Sequence, residues 1–295
     1  MRAAGLRPGA AVFAVRRAAL LGFAVLAACA HTVNLEDPAG PRFGTNGRTE
    51  RTALADSTPG QLKVVTFNVK YGREVERAIE VLRAPPLRGA DLISLQEVNA
   101  AGVARIARAL SMEYVYYPAA IHPVEDTEFG AALLSGWPIE RDWKLILPHR
   151  SYPRDQQRGA SGAVLRLGSA RIRAYAVHME LGTSITPRQR EDQVNRLLCD
   201  AWDALEPVVI AGDFNGADVA LLMERAGYVW ANRDAGPSAL FLHLDHIFAR
   251  GLQPLASGTD EYVNGASDHR PVWATLRLQL TGAPPTAAVK PRSCS

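Results

Sequence analysis

The chain has 295 residues, 47% of them hydrophobic, enough to bury one large core or two small ones. Its formal charge of +3 comes from the start of the chain: Arg2, Arg7, Arg16 and Arg17 fall in the first 28 residues, which hold no acid, and without them 29 basic residues face 30 acidic ones. A net of −1 over the remainder argues against a protein built to grip nucleic acid by charge.

In chain order, a charged head is followed by the apolar run "AALLGFAVLAA" at 18–28. Eleven residues fall well short of the ~20 that cross a bilayer, and the run ends on small residues, so 1–28 reads as a secretion signal. The junction "VLAAC" resembles a lipoprotein cleavage box, which implies a lipid on Cys29 as the mature N-terminus. No aspartate follows it, so in a cell with two membranes the outer one is expected. Residues 29–60 are polar and turn-rich without a sustained period and read as a flexible tether, and 281–295, "TGAPPTAAVKPRSCS", as a loose tail. One domain, 61–280, lies between.

Within that domain short apolar runs alternate with helical periods. Strands are expected at 62–67, 91–96, 171–177, 207–212, 244–249 and 271–280, and helices at 73–83, 101–110, 187–205 and 217–226. The third helix has the clearest start, with Thr186 as cap, Pro187 in the first turn and Gln189 completing a capping box. The middle, 129–148 and 161–177, reads as strands and hairpins without helices. Mixed α and β with antiparallel stretches points to sheets covered by helical layers. Cys199 falls on the apolar side of the third helix, where a free buried thiol is expected, with Cys294 unpaired in the tail.

Polar groups stand where these strands end. Asn68 follows "VVTF", Glu97 follows "ISLQ", His178 follows "YAV", Asp213 and Asn215 follow "VVIAG", Asp245 lies in "LDHIF", and Asp268 and His269 precede the last strand. Taken singly, each has a bland reading: a capping Asn, a surface acid, a core histidine bonded to a carbonyl. Burying ionised carboxylates unpaired is costly, so one shared cluster accounts for them more simply than a private partner for each.

The ordered segments "TFNVKYG", "LISLQEV", "FGAALLSGWPI", "YAVHMEL", "VIAGDFNG", "LDHIFAR" and "SDHRPVWATL" resemble the endonuclease/exonuclease/phosphatase family over 62–278. The resemblance implies a four-layered α/β sandwich, two mixed β-sheets packed face to face and flanked by helices, with the site at the strand ends. It implies a phosphoesterase, most readily a phosphodiesterase, in which Asn68, Glu97 and Asp268 serve a divalent metal, Mg²⁺ or alternatively Mn²⁺. His178, Asp213, Asn215, Asp245 and His269 would be catalytic: Asp213 on the attacking water, Asn215 donating to a phosphate oxygen, His269 held by Asp245, and His178 on the phosphate. Water is the expected nucleophile.

The substrate stays open between nucleic acid, phospholipid and small phosphodiesters. No apolar loop long enough to demand a membrane substrate stands out. Partners are then that phosphate ester and, through the lipid on Cys29, a membrane; a monomer is expected. Two positions depart from the family pattern: Ala131 follows Gly130 where many relatives have asparagine, and Lys70 stands where some nucleases carry an acid. Arg158 is read as structural or phosphate-binding, and Arg150, Arg154 and Tyr152 as a loop facing solvent or an anion. A non-catalytic, ligand-binding lipoprotein of the same fold is the alternative; it predicts lost site residues, and none is lost.

Overall fold

A computed structural model describes residues 32–45, 60–279, 284–291 and 294. The leader and Cys29 lie outside them. Among the described residues no helix is long and apolar enough to cross a membrane.

Among the described residues fourteen strands form two mixed sheets. In chain order they are β1 (Val33–Asn34), β2 (Phe43–Gly44), β3 (Gln61–Asn68), β4 (Leu92–Val98), β5 (Glu113–Ile121), β6 (Glu128–Ser135), β7 (Ile139–Arg150), β8 (Gln157–Leu167), β9 (Ala170–His178), β10 (Val208–Asp213), β11 (Val229–Trp230), β12 (Asp245–Arg250), β13 (Leu252–Thr259) and β14 (Val272–Leu278). The first sheet runs β1-β5-β6-β4-β3-β14-β13, with β2 also on β5; the second runs β11-β12-β10-β9-β8-β7. The helices are α1 (Val75–Arg83), α2 (Ala100–Leu110), α3 (Pro187–Ala201) and α4 (Ala220–Arg225).

Strand alternation builds the layers, because successive side chains point to opposite faces. In β3, Leu62 and Val64 join a core between the sheets, where they meet Val209, Ala211, Ile247 and Ala249. Val65 and Phe67 point the other way, into a core with Ile79, Leu82, Val103 and Ile106 of α1 and α2. In β10, Val208 and Ile210 likewise turn outward onto Val194, Leu197 and Leu198 of α3. The result is helix, sheet, sheet, helix, the expected four-layered sandwich. The capping box of α3 is present: Thr186 Oγ1 accepts from Gln189 N, and Gln189 Oε1 accepts from Thr186 N.

Three expectations are corrected. Residues 32–45 are not a free tether: β1 and β2 both pair antiparallel with β5, and Arg42 makes a two-pronged contact with Asp142. Two short strands thereby cover an edge that would otherwise leave its backbone groups unpaired. The tail is docked, with Val289 N donating to Arg225 O and Pro285 packed so close to Gly227 that a Cβ there would stand 2.5 Å from it. Cys199 and Cys294 form a disulfide. Cys199 lies between Leu198 and Ala201 at the edge of the buried stripe of Val194, Leu197, Leu198 and Ala201 and is only half-buried, which leaves its sulfur open to the returning tail.

Candidate active site

The strands carrying the expected residues all meet at one end of the sandwich. Asn68 and Asp213 are the last residues of β3 and β10, His178 the last of β9, and Asp245 the first of β12. Register places Asp213 opposite His178 on one side and Asp245 on the other. Strands running one way bring their C-termini to this edge and antiparallel neighbours bring their N-termini. Gly212 allows the approach: a Cβ there would stand 2.0 Å from Val177 O.

Asp213 is the hub. Its Oδ2 accepts from Asn68 Nδ2 at 3.0 Å and its Oδ1 from Asn215 N at 2.8 Å. His178 Nε2 lies 3.6 Å and His269 Nε2 4.0 Å from the same Oδ2. Burial, and then the charge of Asp245, push the Asp213 carboxyl well up from its ordinary range. His269 Nδ1 contacts Asp245 Oδ2 at 2.8 Å; burial opposes its charged form, but Asp245 and then Asp213 drive it up to about 10, so it is a cation at neutral pH. His178 is pushed the other way, by burial first and then by Arg158 and His269, and is neutral.

Glu97 occupies a bulge in β4, where the register with β6 shifts between Gln96 and Val98, and its φ is +53°. A non-glycine residue held there costs on the order of 1–3 kcal/mol, a strain typical of functional positions. The bulge lets Gln96 bond into the sheet interior through Ser94 while Glu97 turns to the cleft. Burial raises the Glu97 carboxyl, partly offset by Asn68 and Arg158. Asn215 also has positive φ, +54°, and one N–H of its carboxamide is spent on Met179 O at 2.9 Å, leaving the other for a ligand.

Asp268 lies at the rim of this cluster, near enough for its charge to act on Glu97 and His269. It pairs with Lys70 Nζ at 3.1 Å, its side chain is 61% exposed, and, against the upward push of burial, that bond holds it below the usual carboxylate range. Lys70 and Asp268 thus meet as an ion pair at the rim.

Other residues also line the cleft, among them Arg158, for which the sequence left a structural and a phosphate-binding role open. Arg158 is buried, donates to Glu180 at 2.8 and 3.3 Å, lies 3.1 Å from each ring nitrogen of His178 and stacks on Phe129 at 5.1 Å. Glu180 and the aromatic wall of Tyr71, His122 and Phe129 carried no sequence signal beyond Glu180's spacing of two from His178. The cleft encloses about 460 Å³, and Arg154 lines it with no carboxylate partner among the described residues. A larger cavity of about 730 Å³ beside the disulfide contains none of these groups, so size does not mark the chemistry here.

The donor set is hard oxygen plus imidazole. Asp213, Asp245 and His269 offer ligand atoms all within 4.8 Å of one another, and Asp245 Oδ1 is buried without a hydrogen-bond partner. The 2.8 Å contact of His269 with Asp245 commits those two to each other, whereas Glu97 beside Asn68 presents a carboxylate to the open cleft.

Comparison with known proteins agrees with this geometry. The chain is 31% identical over 116 residues to the UPF0294 protein of Vibrio cholerae, a match covering 36% of this chain and 39%, well under half, of that relative. Among solved structures, it superposes on an endonuclease/exonuclease/phosphatase of Beutenbergia cavernae with a TM-score of 0.62 at 20% identity, covering 75% of this chain and 72% of that one. Sphingomyelinase C of Streptomyces griseocarneus gives 0.54 at 20% identity, covering 74% and 99%, and the human nocturnin catalytic domain 0.58 at 16%, covering 79% and 100%. Residues 65–269 match the sequence profile of the Endonuclease/Exonuclease/phosphatase family, and the chain belongs to that family.

Proposed function

We propose that the protein is a divalent-metal-dependent phosphodiesterase that uses water as its nucleophile, exported and tethered by a lipid on Cys29. The observation that carries this reading is the convergence of Asn68, His178 and the His269–Asp245 pair on Asp213 at one mouth, with polar atoms 3.0, 3.6 and 4.0 Å from its Oδ2.

A hard cation fits the residues present. Three carboxylates, Glu97, Asp213 and Asp245, crowd one site, and one Asp245 oxygen is buried without a partner. Glu97 and Asn68 would hold the metal, in keeping with Mg²⁺ or Mn²⁺ taking one or two carboxylates and oxygen donors. When bound, it would polarise a phosphoryl oxygen and offset developing charge.

The remaining chemistry belongs to the chain. Asp213, its carboxylate aimed by Asn68 and Asn215 N, accepts the proton of the attacking water. The water oxygen bonds to phosphorus as one phosphorus–oxygen bond breaks, and the leaving alkoxide takes a proton from cationic His269. Arg158, oriented by Glu180, and the free N–H of Asn215 stabilise the phosphoryl oxygens. Arg158 and His269 each carry a carboxylate partner, which leaves Arg154 as the unmatched cation of the cleft; that modest supply suits a monoanionic diester better than a dianionic monoester.

The test is hydrolysis of bis-p-nitrophenyl phosphate by the full chain with Mg²⁺, Mn²⁺ or EDTA, with calorimetric titration of the metal alongside. Turnover that requires metal and disappears in Asp213→Asn and His269→Ala is expected, with metal heat lost in Glu97→Gln. Metal-independent turnover, or turnover retained in both catalytic variants, would refute it.

A further inference from the structure

The rim of the cleft is apolar, on a short, well-fixed turn. Leu240 and Phe241 are each 79% exposed and Leu242 44%. Isolated exposed apolar residues are ordinary, but three in succession beside a site are not. Nor is the turn slack: Ser238 N and Ala239 N both donate to Leu242 O, and Leu242 N donates back to Ala239 O at 2.7 Å. It is built onto the site itself, since Ala239 bridges His269, Arg270 N donates to Ser238 O, and Ser238 Oγ accepts from Leu244 N and Asp245 N. Leu244 lines the cleft, and Tyr152 and Leu181, also exposed, continue the rim.

The N-terminal segment reaches the same mouth independently. Thr32 N donates to Arg154 O, Asn34 Nδ2 to Asp155 O, and Gln157 N to Asn34 Oδ1. Arg154 is a cleft residue. Cys29 is three residues before Thr32 in the sequence.

We propose that the mouth of the cleft faces the bilayer in which Cys29 is anchored, that the Ala239–Leu242 turn enters its interfacial region, and that the substrate is the phosphodiester of a membrane phospholipid. The proposal rests on the preceding reading for the hydrolysis and for the lipid on Cys29. Water adds to the phospholipid phosphorus, one phosphorus–oxygen ester bond breaks, and the released alcohol carries the proton from His269. Nucleic acid fits the rim less well, because apart from Arg154 its cations are matched: Lys70 by Asp268, Arg73 by Glu125, Arg150 by Glu36 and Asp155, and Arg270 by Glu261. A polyanion needs several unpaired cations along its track, whereas apolar side chains at a neutral rim suit the headgroup boundary of a bilayer.

The experiment uses the mature chain, residues 29–295, as Cys29→Ser, so that binding is dominated neither by an acyl chain nor by the apolar leader. Sedimentation with phosphatidylcholine–phosphatidylglycerol vesicles is compared for this parent, for the added pair Leu240→Ser/Phe241→Ser, and for added Leu205→Ser. Leu205 is 77% exposed but lies before the start of β10, at the end of the sandwich opposite Asp213. The parent is expected to sediment with vesicles, the paired variant to lose at least about tenfold in partitioning, and Leu205→Ser to match the parent. Vesicle phospholipid hydrolysis should fall with partitioning while bis-p-nitrophenyl phosphate turnover stays within about twofold, showing an intact fold. A parent that ignores vesicles, or a paired variant that partitions equally well, overturns the proposal. Partitioning is read without catalysis, so absent turnover of the soluble diester counts against the hydrolase reading alone.

Discussion

His269 Nδ1 lies 2.8 Å from Asp245 Oδ2, and the carboxylate has no freedom to follow the ring elsewhere: it is buried on the first residue of β12, with its backbone N–H fixed to Ser238 Oγ. Asp245 therefore sets both the orientation and the charge of His269. In Asp245→Asn the ring loses its main source of raised basicity. Proton donation by His269 is available below its pKa and lost above it, so the alkaline limb of the rate profile should move to lower pH. With an alkyl phosphodiester, whose alkoxide needs that proton in order to leave, kcat should fall by roughly 10²–10⁴ with KM within about threefold. An unmoved alkaline limb would show that Asp245 does not tune the ring.

The Arg158–Glu180 pair should reveal itself in stability. Both side chains are nearly fully buried, and Glu180 also accepts from Leu181 N. Removing one member strands the other without water, at a cost of about 3–5 kcal/mol, while replacing both with apolar groups costs much less. Urea unfolding of Glu180→Leu should therefore show the larger loss, and Arg158→Met/Glu180→Leu should recover much of it. Equal losses in the single and double variants would mean that the ion pair is not the source.

How far the sequence reveals this site depends on which signals are local. Helix α3 was legible from Thr186 to Gln189 because a capping box is written in four residues, and β3, β4, β9, β10, β12 and β14 because they are short apolar runs. Strand β5, "EYVYYPAAI", went unread, since buried on both faces it has no alternation, and β13, "LQPLASGT", because an exposed edge strand has no apolar run. Asn68, Asp213, Asp245 and His269 were legible by position at strand ends. Glu180 and the aromatic wall were not, because their roles come from contacts across the fold. The pairing of Asp268 with Lys70 was not legible, because Lys70 stands two residues beyond Asn68 and meets Asp268 only in the fold. The disulfide was missed because a helical stripe one residue wide decides whether Cys199 points inward.

His246 makes acid sensitivity a specific expectation. It is buried among Phe214, Trp230 and Phe248, its Nε2 lies 3.1 Å from Gly216 O and its Nδ1 has no partner. Burial outweighs the upward pull of Asp245 and lowers it to about 4 from an ordinary 6.5. The unfolded chain thus takes up a proton that the folded one refuses. The associated stability is complete above pH 6.5 and is lost as pH falls from 6.5 toward 4, amounting to about 2 kcal/mol by pH 5. Urea unfolding of wild type and His246→Gln at pH 7.5 and pH 5 should show the variant losing correspondingly less on acidification. Identical pH dependences would place the acid-sensitive group elsewhere.

The Cys199–Cys294 disulfide should matter to stability and leave catalysis alone. It joins residues 95 apart, and loop closure of that size restricts the unfolded chain by at most about 5 kcal/mol. The gain is smaller where the tail can undock alone, since a folded body with a free tail then competes with full unfolding; about 2–4 kcal/mol is expected. Helix α3 reaches the site at its other end, where Arg190 donates to Glu180 O and Phe214 O and pairs with Asp218. Nine residues of helix, about 13 Å, separate Arg190 from Cys199. Reductant should lower the urea midpoint of wild type to that of Cys199→Ser/Cys294→Ser and leave the double variant unchanged, with kcat on a soluble diester the same throughout. A fall in kcat on reduction would mean that the tail braces the site through the whole length of α3.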